Sequence, residues 1–199
     1  MIAHGAAADP FEWFQRWYVE ARSDMPGADA VALATASLDG QPSVRFVHFK
    51  GLHAEGFVFY TNYGSRKALE LASNPAAALA FCWPAQKRQV RIEGRCSRLD
   101  RAASQRYFAT RSRESQLTSV ASEQSRELRS FAVLDERIEQ LRAALVGRDI
   151  SCPLDWGGIA LKAQHIEFWE GQSHRRHRRY RRYRYDYSRN AWNVRLLYP

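Results

Sequence analysis

Three stretches of this 199-residue chain combine residue types and spacings that suit an anionic ligand. The first is Tyr60-Thr61-Asn62-Tyr63-Gly64-Ser65-Arg66-Lys67, where an apolar run ends, glycine permits a sharp turn, and a hydroxyl with two cations opens a helical pattern. A helix N-terminus already offers unpaired N–H groups and the positive end of its dipole, so these side chains make a phosphate cradle. The same residues also serve as an ordinary Ser N-cap followed by an exposed basic pair. The second stretch is Tyr107, Arg111 and Ser115, spaced four apart across a helix end and the turn beyond it. That spacing brings phenol, guanidinium and hydroxyl to one side, where they either converge on one phosphate or face solvent. The third is SHRRHRRYRRYR at 173–184, whose strand alternation sets Arg175, His177, Arg179 and Arg181 on one face and His174, Arg176 and Arg178 on the other. An imidazole between two guanidinium groups is expected to stay neutral at pH 7 by like-charge repulsion.

The strip dominates the charge. With 30 Lys+Arg against 21 Asp+Glu the formal charge is +9, and removing the strip's seven arginines leaves +2 for everything else. The chain therefore reads as a nearly balanced domain carrying one basic strip, which suits a nucleic-acid patch, an anion site or a solvated face. Its length is enough for one domain with its own core. No apolar run approaches the ~20 residues of a membrane span and the first ten residues lack a leader pattern, so a soluble, cytoplasmic protein is expected. Cys82, Cys96 and Cys152 are too few for a disulfide scaffold and show no metal-ligand spacing; free buried thiols are expected and no metal site.

The elements that must position these groups follow from local pattern. Asp9-Pro10-Phe11-Glu12 reads as a helix start, and Phe11, Phe14, Trp17 and Tyr18 recur at helical spacing to near Pro26. From Val31 the period becomes two: VALATASL and PSVRFVHFK flank a tight Asp39-Gly40 hairpin turn. GFVFYT (56–61) is a third strand, SRKALELAS a helix ending at Asn74-Pro75, and AALAFCW (77–83) with RQVRIEGRCSRL (88–99) a further strand pair. Arg45 and Lys50 bracket an apolar strand, and Gln89, Arg91 and Glu93 form a polar strand face that reads as solvated. Helices are expected at 101–111 and 125–146, the second with Leu128, Phe131, Leu134, Ile138, Leu141 and Leu145 on one stripe. Strands return at GIALKAQHIEFWE (158–170), at the basic strip and at AWNVRLLY (191–198). Strand runs with hairpin-length links and helices between them predict an α+β domain built on a mostly antiparallel barrel or sheet.

In shared order and spacing, R-F-V-H-F-K (45–50), F-Y-T-N-Y-G-S-R-K (59–67), R-Q-V-R-I-E-G (88–94), Y-F-A-T-R-S-R-E-S-Q (107–116), E-Q-S (123–125), W-G-G (156–158), I-E-F-W-E-G (166–171), R-R-H-R-R (175–179) and the terminal R-L-L-Y-P resemble the pyridoxamine 5′-phosphate oxidase family. The resemblance runs from Asp9 to Pro199. It implies a split β-barrel with packed helices, with 1–150 as the FMN-binding core and 151–199 as dimerisation and substrate-binding strands of the same domain. It also implies a homodimer with FMN at the subunit interface. Flavin contacts would fall on Arg45, Phe46, Val47, His48, Phe49, Lys50, Tyr60, Thr61, Ser65, Arg66, Lys67, Gln89, Gln124, Ser125, Trp169 and Arg179. Contacts to a phosphorylated B6 vitamer would fall on Lys50, Tyr107, Arg111, Ser115, Arg175 and His177, the last two orienting the reacting carbon as the catalytic pair. The implied reaction is oxidation of the C4′ amine or alcohol by hydride transfer to flavin, with O2 reduced to H2O2.

Four features depart from the family pattern. Only nine residues precede the first expected helix, where the family has a segment rich in Arg and Tyr, so no such cover over the site is expected. The usual Ile-Gly-Ala-Trp reads Leu117-Thr118-Ser119-Val120, Arg176 and Arg178 replace Leu and Asp, and His48 and Phe49 replace aliphatic residues. Two other readings stand beside the main one: a split-barrel flavin oxidase of the phenazine-biosynthesis type, and a non-catalytic flavin- or nucleic-acid-binding module using the Arg strip with Tyr180, Tyr183, Tyr185 and Tyr187. Lys50, Tyr107, Arg111 and Ser115 suit a phosphorylated substrate and speak against the former. Replacing Arg175 by Leu is expected to depress turnover while flavin stays bound, and a steady-state assay giving unaltered turnover would remove Arg175 from the catalytic pair.

Overall fold

The computed structural model describes residues 9–54, 56–172, 178–186, 188 and 191–198, with 178–184 described at the level of the backbone. The Asp9 carboxylate accepts the Phe11 N–H at 3.0 Å and Pro10 takes the first position of α1 (Pro10–Asp24), which buries Phe14, Trp17 and Ala21. Strands β1 (Ala30–Ala36) and β2 (Pro42–His48) pair antiparallel, with Ala36 opposite Pro42. The link between them is thus residues 37–41, longer than the expected two-residue turn. Ser37 closes it by exchanging hydrogen bonds with Gln41, while Gly40 takes a left-handed φ of +88° that favours glycine.

Strands β3 (Leu52–His53) and β4 (Gly56–Asn62) lead into α2 (Arg66–Ser73), followed by β5 (Ala76–Trp83) and β6 (Arg88–Arg98). Three helices come next, α3 (Arg101–Ala109), α4 (Arg113–Ala121) and α5 (Phe131–Ala144), and then β7 (Trp156–Glu170), β8 (Arg178–Asp186) and β9 (Ala191–Leu197). The strands form one antiparallel sheet in the order β2-β1-β5-β6-β7-β4-β3, with β8 joined to β7 and β9 to β8. The chain just beyond β2 then returns to β4: Lys50 N–H donates to Val58 O at 2.8 Å and Val58 N–H to Gly51 O at 3.0 Å. These bonds close the sheet into the split barrel implied by the resemblance.

Its interior is aromatic. Phe14 of α1 enters the barrel, with ring centroids 4.9 Å from both Phe57 and Phe81, and Phe49 lies 5.4 Å from Phe81. Burying each such ring contributes about 1.5–3 kcal/mol relative to exposure. Trp83 sits among them with its indole N–H donating to Ala28 O at 3.1 Å, so no polar atom of that ring is stranded.

Two expectations about the helices change. The segment 113–121 is a helix that the apolar pattern did not announce, because only Leu117 and Ala121 of α4 are buried. The following helix begins at Phe131 rather than at 125, and of its expected stripe Ile138, Leu141 and Leu145 pack on a second cluster (Phe108, Leu117, Ile150, Trp156) while Leu128 and Phe131 stay exposed. Among the described residues no helix is long and apolar enough to cross a membrane.

Strand β7 bends twice. Its pairing with β6 passes from Glu93↔His165 to Gly94↔Ala163, skipping Gln164, and its pairing with β8 passes from Glu167↔Arg182 to Phe168↔Tyr180, skipping Arg181. The second bulge breaks the alternation expected to run through Arg181, and the register sets Arg182 opposite Glu167 and Arg178 opposite Glu170. At the first bulge the backbones nearly touch, since a Cβ on Gly94 would lie 2.1 Å from Lys162 O. Gly94→Ala must push β6 and β7 apart, and we expect a loss of about 2–3 kcal/mol, lowering Tm by roughly 4–12 °C. An unshifted thermal unfolding curve would contradict this close approach.

Candidate active site

A groove of about 940 Å³ opens between β2, the end of β4, the start of α2 and the α3–α4 corner. Its volume is at the upper end of the range for small-molecule sites. One side is built at the β4–α2 junction. Asn62 ends β4 and shapes the turn, accepting the Gly64 N–H at 2.7 Å and donating to Asp155 Oδ2 at 2.9 Å. Ser65 then starts α2 without using its hydroxyl as a cap; that hydroxyl lies 3.3 Å from Thr61 Oγ1 and accepts from Lys67 Nζ at 3.2 Å. Lys67 Nζ also donates to Thr61 Oγ1 at 3.1 Å and Gln124 Oε1 at 3.2 Å. Gln124 also accepts from Thr61 Oγ1 at 2.9 Å and from the Asn62 N–H at 3.3 Å, and the next residue, Ser125, holds a left-handed φ of +74°, an uncommon conformation outside glycine.

The charges in this corner are unequally matched. Glu70, one turn along α2, accepts from Arg66 Nε at 2.8 Å, Thr35 Oγ1 at 2.5 Å, Ser43 Oγ at 2.6 Å and Arg45 Nη2 at 3.3 Å. Burial alone would raise its carboxyl, but the Ser43 and Thr35 hydroxyls and the Arg66 guanidinium outweigh it and hold it at about 2. Lys67 has no such partner: it is 7% exposed, and among the described residues no carboxylate pairs with it. Burial and then repulsion from Arg45 push its ammonium down to about 8. Three cations and one carboxylate leave this corner with a formal +2, matched by a phosphate monoester dianion.

The opposite side carries the second set. Tyr107 at the end of α3 stacks on Tyr60 at 3.7 Å, with Trp156 parallel to both at 6.3 and 5.4 Å. Arg101 fixes Trp156 by donating to Pro153 O at 2.7 Å, Trp156 O at 3.1 Å and Cys152 O. The Arg111 guanidinium lies 4.8 Å from the Trp156 ring centre and donates to Ser119 Oγ at 2.6 Å; burial lowers its pKa. Ser112 caps α4 by accepting the Ser115 N–H at 3.3 Å, and its hydroxyl lies 2.8 Å from that of Ser115. At the groove's end Lys50 Nζ and His48 Nδ1 share Asp29 Oδ2, at 3.2 and 3.0 Å. Burial works against the Asp29 charge, but these two hydrogen bonds outweigh it and keep its carboxyl below the usual range.

Of the residues singled out in the sequence, Arg45, Phe46, Val47, His48, Lys50, Tyr60, Thr61, Arg66, Lys67, Tyr107, Arg111, Ser115, Gln124 and Ser125 line this one groove. Ser65 is buried behind it, and Phe49 turns into the barrel core because the alternation of β2 continues past His48. Gln89, Trp169 and Arg179 lie side by side in one row across β6, β7 and β8. That row is twelve residues along β7 from Gly157, the partner of Thr61, roughly 40 Å of strand at ~3.3 Å per residue. Arg175 and His177 lie outside the described residues. Sequence reasoning passed over Asp29 and Glu70, and it noted Trp156 in a motif and Ser119 as a departure without giving either a role in the site. Glu70 carried a signal, an acid four residues after Arg66 on an expected helix. Asp29 and Ser119 meet their partners only through the tertiary fold.

Comparison with known proteins places this geometry. Residues 20–144 match the family described as pyridoxamine 5′-phosphate oxidase, and residues 156–199 match the pyridoxine 5′-phosphate oxidase C-terminal dimerisation region. A pyridoxine/pyridoxamine 5′-phosphate oxidase of Sphingopyxis alaskensis is 44% identical over 96% of this chain and 88% of its own length. One from Coxiella burnetii is 47% identical over 84% of this chain and 86% of its own. Among solved structures, PhzG from Burkholderia lata, in complex with tetrahydrophenazine-1-carboxylic acid, superposes with a TM-score of 0.90 at 31% identity, covering 97% of this chain and 94% of that one. With both halves of the sheet matched in sequence, the chain belongs to the pyridoxamine 5′-phosphate oxidase family.

Proposed function

We propose that the protein is an FMN-dependent oxidase that converts pyridoxine or pyridoxamine 5′-phosphate to pyridoxal 5′-phosphate. The observation that carries this reading is the buried Lys67 ammonium, hydrogen-bonded only to neutral oxygens at an uncapped helix start. Such a cation calls for an anion, and the FMN phosphate fits the +2 corner formed with Arg45, Arg66 and Glu70. FMN held there would supply the two-electron redox chemistry, with O2 as the final acceptor giving H2O2; the alcohol yields the aldehyde directly, and the amine yields an imine that water hydrolyses to the aldehyde and ammonia. The chain supplies placement: Arg111, Ser115, Tyr107 and Lys50 hold the substrate phosphate, and Arg175 with His177 orients the ring. Two anion-suited clusters in one groove match one phosphorylated cofactor and one phosphorylated substrate.

Gln89, Trp169 and Arg179 lie twelve residues along β7 from the strand partner of Thr61, apart from the groove that holds the other expected flavin contacts. A homodimer with FMN between the subunits, each contributing one set, accommodates both. A second reading, oxidation of a non-phosphorylated polycyclic substrate, is favoured by the TM-score of 0.90 to PhzG and by the exposed apolar Val44 and Phe46 on the groove wall. Flavin absorbance of the purified protein, with peroxide and aldehyde release from each B6 phosphate and peroxide release from tetrahydrophenazine-1-carboxylic acid, separates the two.

Lys67 sets a pH dependence. In the ligand-free protein it loses its proton near pH 8, whereas beside a phosphate dianion it stays charged, so above pH 8 binding must take up a proton. The FMN Kd is expected to rise about twofold from pH 7 to 8 and to approach tenfold per unit well above it, and Lys67→Met is expected to abolish that slope; fluorescence-quenching titrations read both. Arg111→Leu removes one partner of a charge-assisted contact, a loss of about 2 kcal/mol or more. KM for the B6 phosphates should therefore rise by about 30-fold or more with FMN affinity unchanged, and an unaltered KM would take Arg111 out of the substrate site.

A further inference from the structure

We propose that Ser119 is a positioning residue for the substrate phosphate, acting through Arg111; the inference rests on the reading of the groove given above. Arg111 is a cation among neutral groups. Its guanidinium carbon lies 4.8 Å from the Trp156 ring centre and 5.7 Å from that of Phe108, and no carboxylate among the described residues pairs with it. The rings hold the guanidinium carbon beside them but offer no hydrogen-bond acceptor to set its rotation. Ser119 supplies the missing constraint by accepting from Nη1 at 2.6 Å. It is the one side-chain partner of the Arg111 guanidinium among the described residues, which leaves the remaining N–H donors of the fork for an anion in the groove. A carboxylate in this place would orient Arg111 equally well but cancel its charge; a hydroxyl orients it and leaves the charge whole.

The wall that presents Ser119 is anchored, so the hydroxyl is a fixed reference. Leu117 is fully buried beside Phe108, Gln116 Nε2 donates to Phe108 O at 2.9 Å, and Arg113 donates to Arg148 O at 2.9 Å beyond the end of α5. Arg142 grips Glu114 from α5, its Nη2 donating at 2.9 Å. Ser119 is also one of the places where this chain departs from the family pattern, which has alanine there.

The test uses FMN-saturated protein, so that the Lys67 corner is filled, with inorganic phosphate as probe and calorimetry as readout. Ser119→Ala is expected to weaken phosphate about tenfold, equivalent to about 1.4 kcal/mol, while Ser119→Thr, which keeps the hydroxyl, stays near the parent value. FMN affinity and Tm should be the same in all three proteins, and in turnover Ser119→Ala should raise KM for the B6 phosphates with kcat nearly constant. Equal phosphate affinity in parent and Ser119→Ala, a parent that binds no phosphate, or a parallel fall in FMN affinity and Tm would each overturn the role. Should phosphate binding respond as expected while no B6 phosphate is oxidised, the oxidase reading fails and the positioning role stands.

Discussion

One strand, β7, sets the layout of the molecule by serving three neighbours. One of its edges pairs with β6 along nearly its whole length, and the other is divided between β4 in its first half and β8 in its second. A strand this long cannot stay straight, and the two bulges are where it bends from barrel wall to outer ribbon. Its start sets Trp156 beside the groove and its end sets Trp169 in the row with Gln89 and Arg179. The distance between those two tryptophans is thus fixed by backbone hydrogen bonds, and no movement of side chains can close it.

Within the groove, one carboxylate decides which cations are free. Glu70 satisfies itself on Arg45, Arg66 and two hydroxyls, and in doing so ties α2 to β1 and β2. Lys67, three residues earlier on the same helix, gets neutral oxygens only. The corner is therefore ordered before any anion arrives, yet it keeps unneutralised charge at its centre. Preorganised charge of this kind binds without a reorganisation cost, and it is destabilising for as long as it stands alone.

Much of this was legible in the residues. The Asp9-Pro10 start of α1, the alternation of β1 and β6 and the strand-turn-helix at 60–67 all rest on local rules, and the structure follows them. Helix α4 escaped because its buried face is two residues wide and the rest is polar apart from the exposed Val120, a pattern in which apolar periodicity has too little to show. The premature start given to α5 has the opposite cause: Leu128 and Phe131 continue the stripe in sequence, but the left-handed Ser125 turns the chain before them. At the site, the cations were visible by type and spacing. Their partners Asp29 and Ser119 were not, since each is an ordinary residue until folding sets it against a cation.

The stack of Tyr60, Tyr107 and Trp156 draws its three rings from β4, α3 and the start of β7, so it is part of the cluster that holds the helices to the barrel. Lining the same groove, α4 and its two caps offer Ser112, Ser115, Thr118, Ser119 and Ser122, short side chains that bury nothing of size. The two walls differ in how freely they can diverge. A change in the aromatic wall must be matched in three elements at once, whereas on α4 every one of these residues except the capping Ser112 can be exchanged for another small side chain at little cost to folding. New ligand preferences on this scaffold are most accessible to evolution from the α4 side, one residue at a time.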